Sequence, residues 1–244
     1  MGIKERRTKI LLSLFLISDV DFKPIRLDDR FQTVFEISLN QKTKGSLSSL
    51  LKEELIIKGE EEGSYCLTEK GFLSLCLEFP FFRYLKYQWD GRWRIISYEI
   101  PEEKRELRDR LRREMQGWGL GPWHRSFWLT PHPVIEVLKE LTSQKEEEKY
   151  LQSFEAIHSY GNREILIEKV WQKSQLDQRY RQLFKKWHET LSSNDEKINK
   201  FKKIIASYVE ILRSDPGLPK ELLGESWIGF EGWNIFKEIR VLLY

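Results

Sequence analysis

Residues 42–52 carry side chains that can bind phosphate groups and the edges of nucleic-acid bases. A lysine ammonium group neutralises a phosphate, and serine and threonine hydroxyl groups form hydrogen bonds with phosphates or base edges. Backbone amide groups at the start of a helix can add further hydrogen bonds to phosphate. The candidate DNA-binding residues are Lys42, Thr43, Lys44, Ser46, Ser48, Ser49 and Lys52.

The histidines and cysteines form no pattern typical of hydrolysis or metal binding. The histidines are scattered and have no nearby serine or cysteine motif, and the cysteines lie ten positions apart without neighbouring histidine pairs. These residues are His124, His132, His158, His188, Cys66 and Cys76. The position of His132 between two prolines favours a loop residue over a catalyst. We therefore expect a protein that is not an enzyme and that resides in a reducing cytoplasm.

Charge gives weak support to a nucleic-acid partner. The net charge is only +3, and residues 1–58 hold eleven Lys and Arg against eight Asp and Glu. Glu60, Glu61 and Glu62, here called the acidic run, cancel that surplus. Phosphates repel such a run, so an alternative is a protein-interaction module in which the polar residues 42–52 face solvent.

Helical spacing of apolar residues predicts three helices in residues 1–88. Leu14 lies on the first helix, Phe31 on the second and Leu47 on the third, which is expected to begin near Gly45 and to end near Glu54. Two short strands are predicted at 55–58 and 64–67, with the acidic run between them. Three helices and a hairpin form a winged helix, whose third helix enters the major groove of DNA.

Residues 89–160 alternate between strand and helix patterns. Strands are predicted at 93–98, 123–129 and 154–157, and helices at 102–116 and 134–141. This order indicates a ferredoxin-like domain, whose fourth strand requires a bend within residues 120–130. Arginines of the first helix alternate with acidic residues, which favours a solvated, salt-bridged face with the pairs Glu106–Arg110 and Asp109–Arg113.

Residues 161–244 are predicted to be helical. Aromatic and aliphatic residues recur at helical spacing on both sides of a turn at 192–195, and a last helix is expected over 227–243. The apolar run at 10–17 is too short to cross a membrane. The predicted fold is α+β, with an N-terminal winged helix-turn-helix (1–88), a ferredoxin-like dimerisation domain (89–160) and a helical C-terminal domain (161–244).

Several short strings resemble the PaaX family of phenylacetate-catabolism repressors. They are Tyr-Cys-Leu-Thr-Glu-Lys-Gly at 65–71, Trp-Asp-Gly-Arg-Trp at 89–93, Trp-Leu-Thr-Pro at 128–131, Tyr-Arg at 180–181 and Asp-Pro at 215–216. The resemblance implies a homodimeric repressor that binds a palindromic operator in double-stranded DNA and is released by an aromatic acyl-CoA. The chain departs from the family at the acidic run, where the family is usually basic, and at Gly224, where proline is common.

The middle region has a second likeness. Residues 98–101, the helix after them, Gly117 and Arg125 resemble the small ferredoxin-like subunit of CRISPR spacer integration. In that family an aspartate closes the first strand, and a dimer can pair two of them around a divalent metal; the matching residue here is Glu99. The resemblance implies dimerisation through the sheet and leaves a metal-dependent nuclease as an alternative function.

Overall fold

The computed structural model describes residues 2–124, 126–224 and 226–244, and its N-terminal segment combines helices with a small antiparallel sheet. The strand order is β1-β3-β2, and Ile56 lies opposite Leu67 in the pairing of β2 with β3. The elements are α1 (Ile3–Ser18), β1 (Ile25–Arg26), α2 (Asp29–Phe35), α3 (Gln41–Lys52), β2 (Ile56–Lys58), β3 (Ser64–Leu67) and α4 (Glu69–Glu78).

The helices of this segment follow the predicted apolar spacing, but α3 begins earlier than predicted. Leu14, Phe31 and Leu50 are completely buried, as expected for the inner faces of α1, α2 and α3. The side chain of Asn40 accepts a hydrogen bond from the backbone N–H of Thr43 at 3.1 Å, and this cap starts α3 at Gln41. Residues 41–44 carry no large apolar side chain, so the apolar pattern alone placed the start near Gly45.

The middle segment contains a four-stranded antiparallel sheet and two longer helices. Its elements are α5 (Arg83–Lys86), β4 (Trp93–Tyr98), α6 (Arg105–Gly117), β5 (Gly121–His124), β6 (Phe127–Thr130), α7 (Ile135–Thr142) and β7 (Leu151–Ala156). The strand order β5-β6-β4-β7 with a helix after β4 and another after β6 is the predicted ferredoxin-like arrangement. The single extended stretch predicted at 123–129 is two strands, β5 and β6; Arg125, between them, lies outside the described residues.

One face of this sheet is buried and the other is partly open. Ile96, Tyr98 and Trp128 are at most 3% exposed, and the Tyr98 hydroxyl accepts a hydrogen bond from Arg112 of α6. Side chains alternate along a strand, so Ile95, Phe127 and Phe154 share the opposite face. Phe127 and Phe154 are 43% and 51% exposed, and we call the surface formed by these three residues the open sheet face.

The C-terminal segment is helical, as predicted. Its elements are α8 (Arg163–Trp171), α9 (Lys173–Ser192), α10 (Lys197–Leu212), α11 (Lys220–Leu223) and α12 (Ile228–Leu243). The helices α9 and α10 form the predicted hairpin, and their aromatic side chains are core residues: Tyr180, Phe201 and Tyr208 are completely buried.

The chain divides into two compact units that join distant parts of the sequence. The first consists of Met1–Glu78, Arg181–Ile211 and Gly229–Tyr244, and the second of Phe79–Tyr180 and Leu212–Ile228. The C-terminal segment therefore contributes helices to both units, and the three-domain division at residues 88 and 160 stays a prediction. Within the described residues, every helix is too short or too polar to cross a lipid bilayer.

Candidate nucleic-acid interface

The helix α3 sorts the seven candidate DNA-binding residues between an exposed side and a buried side. Leu47 and Leu50 fix the buried side. Thr43 and Ser46 share it, with exposed fractions of 3% and 4%. On the other side, Ser49 is half-buried and the remaining four are exposed. These four residues, here called the contact face, are Lys42, Lys44, Ser48 and Lys52.

The buried hydroxyl groups of Thr43 and Ser46 serve the helix itself. Ser46 Oγ donates a hydrogen bond to the Lys42 carbonyl at 3.1 Å, and Thr43 Oγ1 lies 3.4 Å from Asn40 Oδ1. Their side chains are therefore unavailable to a ligand on the exposed side of α3. Sequence spacing could have shown this, because both residues lie three or four positions from the buried leucines.

The lysines of the contact face are free to bind an anion. Within the described part of the chain, the side chains of Lys42, Lys44 and Lys52 make neither an ion pair nor a hydrogen bond. Between them lies Gly45, which is exposed and has nothing within 4 Å of the position that a Cβ atom would occupy. The backbone of α3 is thus open to close approach along a cationic surface.

A nearby carboxylate is already neutralised by a cation of α1. Arg7 forms an ion pair with Glu53, the residue that follows α3. The Arg7 guanidinium group donates a hydrogen bond to the Glu53 carboxylate, and Ser49 Oγ donates a second at 2.9 Å. Together these hydrogen bonds hold the pKa of Glu53 below its ordinary value. Ser49 is therefore engaged with Glu53, and the negative charge at the end of α3 is compensated.

The turn between β2 and β3 carries the acidic run on the surface. Glu60, Glu61 and Glu62 are all exposed, and the turn is closed by a hydrogen bond from Ser64 Oγ to the Glu61 carbonyl. A cleft of about 400 Å³ lies between this turn, α2 and α3. Its lining includes Lys44 and Glu62, so it presents both signs of charge.

The C-terminal helices hold α2, which precedes α3. Arg30 donates a hydrogen bond to the Leu243 carbonyl at 2.9 Å, and its guanidinium carbon lies 4.9 Å from the centre of the Tyr244 ring. At the other end of α2, Lys202 pairs with Glu36 at 3.0 Å and lowers the pKa of that carboxyl. These partners are more than 160 positions apart in sequence, and no local pattern could have predicted them.

Arginines on α6 are paired, as the alternating charges predicted, but with other partners. Arg105 lies 3.6 Å from Asp109, Arg108 lies 2.6 Å from Glu102, and Arg110 pairs with the buried Glu147. The spacing of four positions suggested partners on the same helix, whereas Glu147 lies beyond α7. This helix therefore presents mostly neutralised cations.

Two further residues were considered in the sequence, Glu99 for metal binding and His132 for catalysis. Glu99 is exposed after β4, and the described residues contain no group of three or more His, Cys, Asp or Glu side chains that could hold a metal ion. His132 is 1% exposed, its Nε2 lies 2.7 Å from the Pro216 carbonyl oxygen, and burial lowers its pKa to about 3. This histidine lies in the loop between β6 and α7, as predicted, and is a neutral residue of the interior.

Two family models match the chain, and so do solved structures. Residues 86–166 match the PaaX protein central Cas2-like domain, and residues 171–244 match the PaaX-like protein C-terminal domain. No curated protein matches. The uncharacterized protein Rv0674 from Mycobacterium tuberculosis is similar in structure, with a TM-score of 0.55, 17% sequence identity, and coverage of 96% of this chain and 94% of that chain. This last likeness is one of fold.

Proposed function

Because the chain belongs to the PaaX family of regulators, we propose that it is a sequence-specific DNA-binding repressor that uses α3 as its recognition helix. The observation that carries the proposal is the contact face, where three exposed lysines have no partner in the described part of the chain. Free lysines of a recognition helix can neutralise phosphates or donate hydrogen bonds to guanine edges, and Ser48 lies among them as a hydrogen-bonding group.

The arrangement around α3 supports a winged helix-turn-helix. The helices α1, α2 and α3 are followed by a hairpin whose second strand, β3, pairs with both β1 and β2. In a winged helix the third helix lies in the major groove and the hairpin is the wing. The acidic run occupies the wing here, so α3 carries most of the DNA contact and the wing tip stays away from the phosphates.

Dimerisation through the open sheet face belongs to the same proposal. Ile95, Phe127 and Phe154 form an apolar surface on a sheet whose other face is already covered. Exposed apolar patches of this kind are typical of protein interfaces. A twofold dimer presents two copies of α3 and reads a palindromic operator, with the half-site spacing set by the dimer.

Release from DNA by an aromatic acyl-CoA completes the proposal. Its support is the family likeness, and the expected site lies where the middle and C-terminal domains of the sequence meet. Titration with phenylacetyl-CoA should dissociate the protein from its operator and change tryptophan fluorescence. Unchanged operator affinity at saturating ligand contradicts this part of the proposal alone.

The proposal is tested by selecting genomic DNA fragments with the purified full chain and sequencing those retained. We expect a single motif with twofold symmetry. The same selection with Lys42→Gln/Lys44→Gln should lose the motif, whereas the control Lys169→Gln/Lys173→Gln, which changes the same charge on α8 and α9, should retain it. Absence of an enriched motif with the unaltered chain overturns the proposal.

A further inference from the structure

The helix α9 carries a second exposed cationic surface. Between Asp177 and Glu189 the helix has no carboxylate, and the side chains on its solvent side are amides and cations. Apolar residues of the same stretch, Leu183 and Trp187, are buried on the opposite side. Gln178 and Arg179 are exposed at the start of this stretch, and the exposed residues after Tyr180, here called the α9 basic face, are Arg181, Gln182, Lys185, Lys186 and His188.

Two lysines of the α9 basic face differ from Lys200 and Lys203 of the neighbouring helix, because within the described residues their side chains have no partner. On α10, Lys203 lies 2.6 Å from Asp195, and Lys200 donates a hydrogen bond to the Leu191 carbonyl at 2.8 Å. Over the described residues, Lys185 and Lys186 make neither an ion pair nor a side-chain hydrogen bond. The hairpin thus engages Lys200 and Lys203 of α10 and leaves Lys185 and Lys186 of α9 exposed.

The charge balance of the unit that contains α3 points to the same surface. Residues 1–78 hold twelve Lys and Arg against thirteen Asp and Glu, so the segment with the contact face has no positive surplus. Residues 181–211 belong to the same compact unit and hold seven Lys and Arg against four Asp and Glu. The positive surplus of the unit therefore comes from the α9–α10 hairpin.

From these observations we infer that the α9 basic face binds DNA phosphates, as a second contact surface in addition to α3. The inference rests on the proposed function. Lysine, arginine and glutamine side chains are suited to phosphate oxygens, and such contacts supply affinity without reading sequence. An anionic membrane fits less well, because a membrane-binding helix pairs its cations with exposed apolar residues, whereas Leu183 and Trp187 are buried and Phe184 is half-buried.

Salt dependence of DNA binding tests the inference. Affinity for a fragment retained in the genomic selection is measured by fluorescence anisotropy at several KCl concentrations. Each lost phosphate contact lowers the magnitude of the slope of log K against log salt by about 0.9, so Lys185→Gln/Lys186→Gln should lower it by about 1.8. The ratio of affinities for selected and scrambled DNA should stay unchanged, because phosphates carry no sequence information.

Two control variants and a measurement of lipid binding make the result decisive. Lys200→Gln/Lys203→Gln removes the same charge from partnered lysines and should keep the slope, as should the charge-retaining Lys185→Arg/Lys186→Arg. An unchanged slope in Lys185→Gln/Lys186→Gln, beside salt-dependent binding by the unaltered chain, overturns this inference and leaves the proposed function standing. If Lys185→Gln/Lys186→Gln loses binding to phosphatidylglycerol vesicles while the salt dependence of its DNA binding is unchanged, the α9 basic face binds lipid. That result also overturns the inference. No DNA binding by the unaltered chain overturns both proposals.

Discussion

At the residue scale, the capping contact of Asn40 determines where the contact face begins. The side chain of Asn40 satisfies the N–H of Thr43, and the next exposed cations, Lys42 and Lys44, lie within the first turn of the helix. A helix that started near Gly45, as the apolar pattern predicted, would leave both lysines in a loop. One hydrogen bond therefore decides whether these two side chains are presented on a rigid helix.

Substitution Asn40→Ala should lower the free energy of unfolding by about 1 kcal/mol, the usual cost of removing a side-chain helix cap. Urea denaturation measures this change. Asn194→Ala is a matched control, because Asn194 is exposed in the α9–α10 turn. We also expect Asn40→Ala to weaken DNA binding, since the first turn of α3 frays. Equal stability of both variants contradicts the role of Asn40.

His132 should make the protein less stable in acid. Burial lowers its pKa to about 3 in the folded protein, against 6.5 for the unperturbed side chain, so the fold holds it neutral while the unfolded chain takes up a proton. The stabilisation is complete above pH 6.5 and is lost as the pH falls toward 3, at up to about 1.4 kcal/mol per pH unit.

Urea denaturation at pH 7 and pH 5 measures this effect of His132. The unaltered chain should lose more stability between these two values than His132→Gln does, because glutamine does not titrate. His188→Gln, an exposed histidine on α9, is the control and should behave as the unaltered chain. The same loss in His132→Gln as in the unaltered chain assigns the acid sensitivity to other groups.

At the element scale, the sequence predicted the helices better than the strands and the pairing partners. The leucines of α3 and the aromatic residues of α9 recur every three or four positions, and that periodicity reports directly which side is buried. The strands β5 and β6 are four residues each and are separated by two, so together they gave one extended pattern. A turn between short strands leaves no apolar signature of its own.

The candidate site was predictable to a similar degree. The sequence singled out residues 42–52 from their chemistry; the structure shows Lys42, Lys44 and Lys52 exposed, and their contact with DNA stays a prediction. Sequence chemistry alone did not separate Ser48 from the buried Ser46. The contacts of Arg30 with residues 243 and 244 depend on folding across the whole chain, so no local pattern could predict them.

Substitution Gly45→Ala tests whether the backbone of α3 approaches DNA closely. An exposed glycine inside a helix costs about 1 kcal/mol relative to alanine, so Gly45→Ala should raise the free energy of unfolding by about 0.5–1 kcal/mol. Its added methyl group meets only open space in the free protein. We nevertheless expect weaker operator binding, measured by fluorescence anisotropy, because the methyl group lies between the lysines of the contact face. Stability and affinity rising together contradict close approach.

At the scale of the whole molecule, the two compact units have separate tasks in the proposed function. The proposal assigns DNA binding to the unit with α3 and dimerisation to the unit with the four-stranded sheet. The C-terminal helices contribute to both units, since residues 181–211 belong to the first and residues 212–228 to the second. In the proposal, the C-terminal helices therefore connect the DNA-binding unit and the dimerising unit along the chain.

Substitution Phe154→Glu should weaken the dimer, because it places a charge on the open sheet face. Sedimentation velocity measures the change as a shift from dimer to monomer at a given concentration. Ile165→Glu is the matched control, since Ile165 is also exposed but lies on α8, outside that face. A monomeric unaltered chain, or a dimer that persists in Phe154→Glu, contradicts dimerisation through the sheet.

The central claim, that α3 reads DNA sequence, is tested most directly by comparing affinities for a selected operator and for scrambled DNA of the same composition at one salt concentration. A specific regulator binds its operator at least about 10³-fold more tightly. We predict such a ratio for the unaltered chain and its collapse in Ser48→Ala/Lys44→Gln, while Lys185→Gln/Lys186→Gln retains it. Equal affinities of the unaltered chain for the two DNAs would contradict the claim.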